Sequence, residues 1–472
     1  MSITSMTFVF LFLPISLICY HIGGKRVKEP ILLILSLVFY AAGSRDYVIL
    51  FALAVLLTVL IGRIIHRLPD ASTLRKVLLI CGILLNVLPL AYYKYTGFFL
   101  STIGSLTSRD ITIRDIALPL GISFFTFKSI SYLVDVYKKK AALSTNPVHD
   151  AVYLSFFAQI QSGPLSRYND MAQENPGRFD FNLFSEGACR FLIGFSKKIL
   201  LADVLSKITS EIFAAPFDSF STPYAWLGSV CYSLELFFDF SGYSDMAIGI
   251  SEMFGYTCPE NFNYPYMTDS VSKFWRRWHI TLSQWFRDYI YIPLGGSRTG
   301  NKWRVYVNLL IVWTLTGIWH GATWSFVAWG LSYFVMISLE RALNLPGRFR
   351  TKAGRILYRI FSLLFINFQW VLFRSGSLAS GLAYIKRMIV PCHNAVANAR
   401  TLFLLSDYGI FITAAILFST PIVPFLGAKL EENRTAHLAF RALFYLLVIG
   451  AFLWAVSLVV AGQNNPFAYA NF

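Results

Sequence analysis

Long apolar stretches separated by short polar links recur along the whole chain, at residues 6–22, 31–43, 47–65, 77–92, 191–201, 226–240, 305–319, 324–339, 356–373, 408–425 and 438–461. Such runs predict membrane helices. Several are shorter than the ~20 residues that cross a bilayer upright, so some must tilt, re-enter or be shielded from lipid by neighbours. The pattern predicts an all-α, polytopic membrane protein with roughly ten to twelve spans. No small-residue cleavage pattern follows the first run and the next begins shortly after, so 6–22 reads as a permanent first helix rather than a secretory signal.

Composition sharpens this reading. Of 472 residues, 56% are hydrophobic and only 14% charged, which excludes an ordinary water-soluble fold. The net charge of +16 is spread between the apolar runs, in Lys25, Arg26 and Lys28 and then Arg63, Arg67, Arg75 and Lys76. Basic links favour the cytoplasmic side, which puts the N-terminus outside. Anionic lipid headgroups account for the charge, and no soluble basic domain invites nucleic acid. The six cysteines, Cys19, Cys81, Cys189, Cys231, Cys258 and Cys392, show no C-x-x-C spacing, so neither a zinc site nor a disulfide framework is expected. With no repeat and no long linker, residues 1–472 are expected to form a single domain.

Two polar stretches interrupt the apolar rhythm. Residues 203–223 read as an external or interfacial loop. Residues 259–304 are denser in Trp, Tyr and Arg than any other part. If 274–296 is one helix, Trp278, Trp285 and Ile292 repeat every seven residues, and Arg276, Arg277 and Arg287 can snorkel toward phosphates. That is the pattern of an interfacial anchor helix.

Two histidines add chemistry to it. His279 lies in Trp-Arg-Arg-Trp-His, and His320 ends an apolar run and precedes Gly321 and Ala322. A membrane histidine can be a helix-bonding polar group. An imidazole can also take a proton from a hydroxyl at neutral pH, as acyl transfer requires. Asp-Phe-Ser-Gly-Tyr-Ser-Asp at 239–245, with Glu235 before it, is costly at membrane depth. It predicts either a broken helix whose backbone these side chains satisfy, or the wall of a polar tunnel. There is no G-x-S-x-G elbow, no H-E-x-x-H and no P-loop. Direct, base-assisted transfer is the simplest chemistry left.

Taken in order, the motifs resemble the membrane-bound O-acyltransferase family. They are Pro-Leu-Gly-Ile-Ser-Phe-Phe-Thr-Phe at 119–127, Ser-Gly-Pro at 162–164, Phe-Ser-Lys-Lys at 195–198 with Ala-Asp at 202–203, the 239–245 segment, Pro-Glu-Asn-Phe at 259–262, the 274–296 block and Trp-His-Gly at 319–321. The likeness covers about 92–374, and Pro-Phe-Ala-Tyr at 466–469 also fits. The branch it is most similar to contains bacterial alginate and peptidoglycan O-acetylation proteins. Glu235 departs from it, since many relatives carry Gln there.

The resemblance implies a ring of tilted helices around a central tunnel, with His320 as the catalytic histidine and His279 as its partner, a candidate donor to the oxyanion. It implies no bound cofactor. An acetyl-CoA or acyl carrier thioester would arrive from the cytoplasm near Arg276, Arg277 and Arg287, and Asp239, Ser241, Tyr243, Asp245 and Trp319 would line the tunnel. It further implies location in the bacterial inner membrane, a polysaccharide acceptor and an extracytoplasmic SGNH-like acetyltransferase partner. The stretches 203–223 and 374–406 are the surfaces to search first for its docking site. The competing classes are a transporter or flippase, which half-repeats would announce, and a non-catalytic scaffold of a polysaccharide export complex.

Overall fold

The computed structural model describes residues 1–109, 116–171, 179–298, 300–391 and 398–467, so Cys392 and Tyr469 lie outside the described residues. Every regular element among these residues is helical, as the all-α reading expects. The chain divides into two compact units, Met1–Phe191 with Ser244–Glu260, and Leu192–Tyr243 with Asn261–Phe472.

In the first unit a π-helical turn, Phe8–Phe12, leads into α1 (Leu13–Ile22), followed by α2 (Lys28–Gly43) and α3 (Val48–Arg67). Next, α4 (Thr73–Leu90) continues through a π-helical stretch, Ala91–Tyr95, into α5 (Thr96–Thr107); α6 (Ile122–Tyr137) and α7 (Pro147–Ser155) follow. The Asn146 side chain caps α7 at Val148 N–H, with Pro147 in the first turn. Buried Asp150 accepts hydrogen bonds from the hydroxyls of Tyr132 and Tyr168 and pairs with Arg63 at 2.6 Å, so its charge is fully satisfied.

Farther along the chain, α8 (Phe181–Ser196) passes through a π-helical segment, Lys197–Ala202, into α9 (Asp203–Ala214). The loop expected at 203–223 is therefore corrected over its first half. Val204, Leu205, Ile208 and Ile212 recur at helical spacing and are buried. The next element, α10 (Thr222–Met253), runs unbroken for 32 residues, which overturns the broken-helix reading of 239–245. Hydroxyl groups bond back to the turn before, as Ser233 does to Ser229 O and Ser251 to Ala247 O, without opening the helix.

The 274–296 block is not one helix. Two short helices, α11 (Val271–Phe274) and α12 (Ile280–Phe286), flank a break at His279, and a π-helical turn, Arg287–Tyr291, follows. The supposed heptad stripe splits, since Trp278 and Trp285 are buried while Ile292 is 55% exposed. Beyond it come α13 (Lys302–His320), α14 (Trp324–Leu343), the single turn α15 (Leu345–Arg348), α16 (Lys352–Arg374) and α17 (Leu378–Ile389). The chain then forms α18 (Ala399–Phe418), α19 (Ile422–Leu430) and α20 (Arg434–Val460). Helices α13 and α14 meet backbone to backbone. A Cβ on Gly317 would sit 2.4 Å from the Phe326 carbonyl oxygen, and one on Gly330 would sit 2.3 Å from that of Trp313.

Among the described residues six helical stretches are long and apolar enough to cross a membrane: Arg45–Arg67, Thr73–Thr107, Trp324–Leu343, Lys352–Arg374, Ala399–Phe418 and Arg434–Val460. The apolar stretch Phe8–Ile22 is shorter. On α20 only Ala455 is buried, while Leu446, Leu447, Leu453 and Trp454 stay exposed, as on a helix facing lipid. The runs at 226–240 and 305–319 lie in α10 and α13, which are long enough but, with acids in α10 and basic residues and a histidine in α13, are not among the six.

Candidate functional site

The second unit gathers both histidines around one tryptophan. His279 stands before α12 with φ 43°, a left-handed conformation that a β-carbon disfavours. Backbone pairing holds it there: Ile280 N–H donates to Asn261 O at 2.9 Å, and Asn263 N–H donates to Arg277 O at 2.9 Å. The Asn261 side chain then fixes the ring. Its Oδ1 accepts from the Thr281 hydroxyl at 2.8 Å and from Thr281 N–H at 3.3 Å, and it lies 3.1 Å from His279 Nδ1.

An oxygen that already accepts a backbone N–H is the amide carbonyl, so Nδ1 carries the hydrogen and Nε2 the lone pair. Burial lowers the His279 pKa to about 3, which keeps the ring neutral at ordinary pH. The ring packs against Phe240 at 4.5 Å and against Trp319 at 6.1 Å.

His320 is the last residue of α13, where Gly321 turns the chain out of the helix. It is 2% exposed. Its ring touches Trp319 at 4.6 Å, Trp329 at 4.9 Å and Phe373 at 5.2 Å, so the two histidines are linked through Trp319. Phe326 fills the space beside Gly321, and its ring would lie 2.1 Å from an added Cβ. The small residue there admits a neighbouring side chain.

A buried ion cluster forms around Asp239 of α10. Lys198, from the π-helical segment before α9, bonds Asp203 at 2.5 Å and Asp239 at 2.7 Å, with all three side chains buried. Asp239 is thus a lysine partner, adjacent in sequence to the Phe240 that packs on His279. Glu235 accepts from the Thr209 hydroxyl at 2.5 Å. Asn465 N–H donates to the other Asp203 oxygen at 3.2 Å, and Phe467 stacks on Tyr243 at 4.4 Å. Ser241 is buried, and its hydroxyl has no hydrogen-bond partner among the described residues.

The other expected site residues fall elsewhere. Asp245 belongs to the first unit and pairs with Arg190 at 3.1 Å, alongside Glu260 at 2.6 Å. Arg276 is exposed, Arg277 is half-buried, and exposed Arg287 pairs with Asp288 at 2.7 Å. The two stretches singled out for docking, 203–223 and 374–406, are joined to one another. Arg387 bonds Asp218 at 3.3 Å, and Arg400 bonds Glu211 at 2.6 Å.

Two positioning groups escaped the sequence reading. Asn261 was visible only as one polar residue in an aromatic motif. Glu340, near the end of α14, is buried and accepts from Val271 N–H and Ser272 N–H, both at 2.8 Å, from Tyr358 OH at 2.7 Å, and from the Ser272 hydroxyl. It anchors the start of α11 and with it the strand of chain that carries His279. The available signal was an acid directly at the end of an apolar run. Among the described residues no group of three His, Cys, Asp or Glu side chains could hold a metal ion.

Residues 124–382 match the sequence profile of the membrane-bound O-acyltransferase family. The chain is 38% identical over 383 residues to a probable alginate O-acetylase of Azotobacter vinelandii, covering 80% of this chain and 76% of that one. It is 35% identical over 416 residues to a peptidoglycan O-acetyltransferase of Helicobacter pylori, covering 81% and 78%. A teichoic acid D-alanyltransferase of Bacillus subtilis is 31% identical over 234 residues, 46% of this chain and 58% of its own.

Proposed function

Because the chain belongs to the membrane-bound O-acyltransferase family and is a multi-pass membrane O-acyltransferase, we propose that it moves an acetyl or other small acyl group from a cytoplasmic thioester toward hydroxyls of an extracytoplasmic polysaccharide. His320 is the general base. The observation that carries this reading is the buried pair of histidines joined through Trp319, at the end of a helix whose neighbours are tightly packed aromatics. Imidazole in such a setting can take the acceptor hydroxyl's proton without competition from water.

His279 works from the other side of Trp319. With its hydrogen on Nδ1 and directed at Asn261, its Nε2 accepts rather than donates, so it does not serve the oxyanion. The donor thioester is acetyl-CoA or an acylated carrier, and no bound cofactor takes part. The Lys198–Asp239 cluster and Tyr243 line the route, which runs through a tunnel enclosed by roughly ten to twelve spans of one integral domain in the bacterial inner membrane.

The chain passes the acyl group to an extracytoplasmic SGNH-like acetyltransferase that completes transfer to the polymer. The surface formed by α17 and the Asp218 turn, held together by Arg387, is its docking site. The test is the fate of labelled acetyl-CoA in native membranes. Deleting the partner should leave thioester consumption intact and abolish polymer acetylation. Polymer acetylation by the purified chain alone, at the rate of complete membranes, would remove the relay. For topology, a cysteine replacing exposed Arg298 in a cysteine-free chain should label only from the cytoplasmic side.

A further inference from the structure

We propose that the indole N–H of Trp329 is the hydrogen-bond donor that stabilises the oxyanion formed during acyl transfer. The inference rests on His320 being the general base, and it answers a need that reading leaves open. A tetrahedral intermediate requires a donor, and the hydrogen on His279 is committed to Asn261.

Trp329 lies on α14 and is 0% exposed. Its Nε1 has no hydrogen-bond acceptor among the described residues. Buried indole N–H groups normally find one, because leaving the donor unmade costs free energy that the apolar ring cannot recover at that position. The rings around it are His320 at 4.9 Å, Tyr333 at 5.0 Å, Phe373 at 5.5 Å and Trp275 at 5.7 Å. They supply at best a weak N–H···π contact. The His320 and Trp329 rings meet nearly edge to face, at 79°. The indole is thus a direct neighbour of the base, and in the proposed step a carbonyl held against the His320 ring takes its N–H. Both groups are dry, the condition under which one donor counts most for a developing charge.

In the assisted step His320 takes the acceptor hydroxyl's proton while that oxygen bonds to the thioester carbonyl carbon. The carbonyl π pair moves onto its oxygen, where the Trp329 N–H meets it. The pair then returns to re-form C=O, the C–S bond breaks, and the departing thiolate takes the proton from His320. No oxidant or further reactant is needed.

The test uses membranes in which the wild-type chain consumes labelled acetyl-CoA. Trp329→Phe keeps an aromatic ring and deletes the donor. 3-Benzothienylalanine at position 329 keeps the indole outline with sulfur in place of N–H, so it decides the matter if the Phe variant folds poorly. Removal of one oxyanion donor should lower kcat about 100-fold, with KM for acetyl-CoA within about two-fold of wild type and an unchanged melting temperature. Trp275→Phe deletes another indole N–H without an acceptor, one ring farther from His320, and should leave kcat near wild type. Wild-type kcat in either folded Trp329 variant overturns the proposal, as does an equal loss in Trp275→Phe. His320→Ala run in parallel separates the two readings. An active His320→Ala removes the parent reading, whereas an inactive one beside fully active Trp329 variants removes this inference alone.

Discussion

Replacing Asn261 by Leu isolates the group that sets the state of His279. The side chain is fully buried, and its Oδ1 serves the Thr281 hydroxyl at 2.8 Å, Thr281 N–H at 3.3 Å and His279 Nδ1 at 3.1 Å. Leucine is close in size and accepts nothing. The threonine hydroxyl can rotate to another acceptor, but Thr281 N–H and Nδ1–H are held by the chain and by the packed ring. Each buried donor left unmade costs about 1–3 kcal/mol, so a loss of about 2–6 kcal/mol is expected, toward the lower end because neighbouring effects do not add.

Activity should fall further than stability explains. The ring is freed to adopt the other tautomer, and loss of a group that orients a functional histidine costs about 10- to 100-fold. Asn261→Asp is the informative companion, since it keeps the oxygen and adds a charge that favours imidazolium, raising the His279 pKa from about 3 and adding an acidic limb to the pH profile. Thermal unfolding in detergent and initial rates of acetyl-CoA consumption from pH 5 to 8 measure both effects. Asn261→Leu with wild-type melting and wild-type rate would refute the assignment of Nδ1–H to Asn261.

Lys198→Met should destabilise the chain by about 3–5 kcal/mol, because Asp203 and Asp239 are then buried without their cation; adding Asp239→Asn should restore part of it, measured by the same melts. Gly317→Ala should cost about 1–3 kcal/mol by forcing α13 off the Phe326 carbonyl, and an unchanged melting temperature would deny that close approach. His279 has a folded pKa below its unfolded value of 6.5, so between pH 6.5 and about 3 the unfolded chain binds more protons. Stability should therefore fall as pH drops through that window. His279→Gln should flatten the acid side of a plot of melting temperature against pH, and an unaltered slope would contradict the burial of a neutral ring.

The helical membrane architecture could be read from apolar periodicity and from motifs in order, and the same motifs single out His279 and His320, whose rings the fold packs against one contact residue, Trp319. The break at His279 could not, because its left-handed backbone is set by pairing with Asn261, 18 positions away in sequence. A seven-residue spacing of Trp278, Trp285 and Ile292 looks helical on paper, but tertiary packing buries the first two and leaves the third exposed. The loop expected at 203–223 failed for the opposite reason. The polar character of the stretch suggests a loop, while Val204, Leu205, Ile208 and Ile212 within it carry a helical stripe. The acids of 235–245 are accommodated by Lys198, Arg190 and Thr209, brought from elsewhere in the chain, rather than by an opened helix.

The direct test of the central claim is the rate at which labelled acetyl groups leave acetyl-CoA and reach polymer in membranes carrying His320→Gln, a variant that roughly keeps side-chain volume among Trp319, Trp329 and Phe373 but cannot act as a base near neutral pH. With expression, membrane insertion and melting temperature near wild type, transfer should be abolished. Polymer acetylation at the wild-type rate in that variant would show that His320 is not the base and that this aromatic cluster is not where the acyl group is transferred.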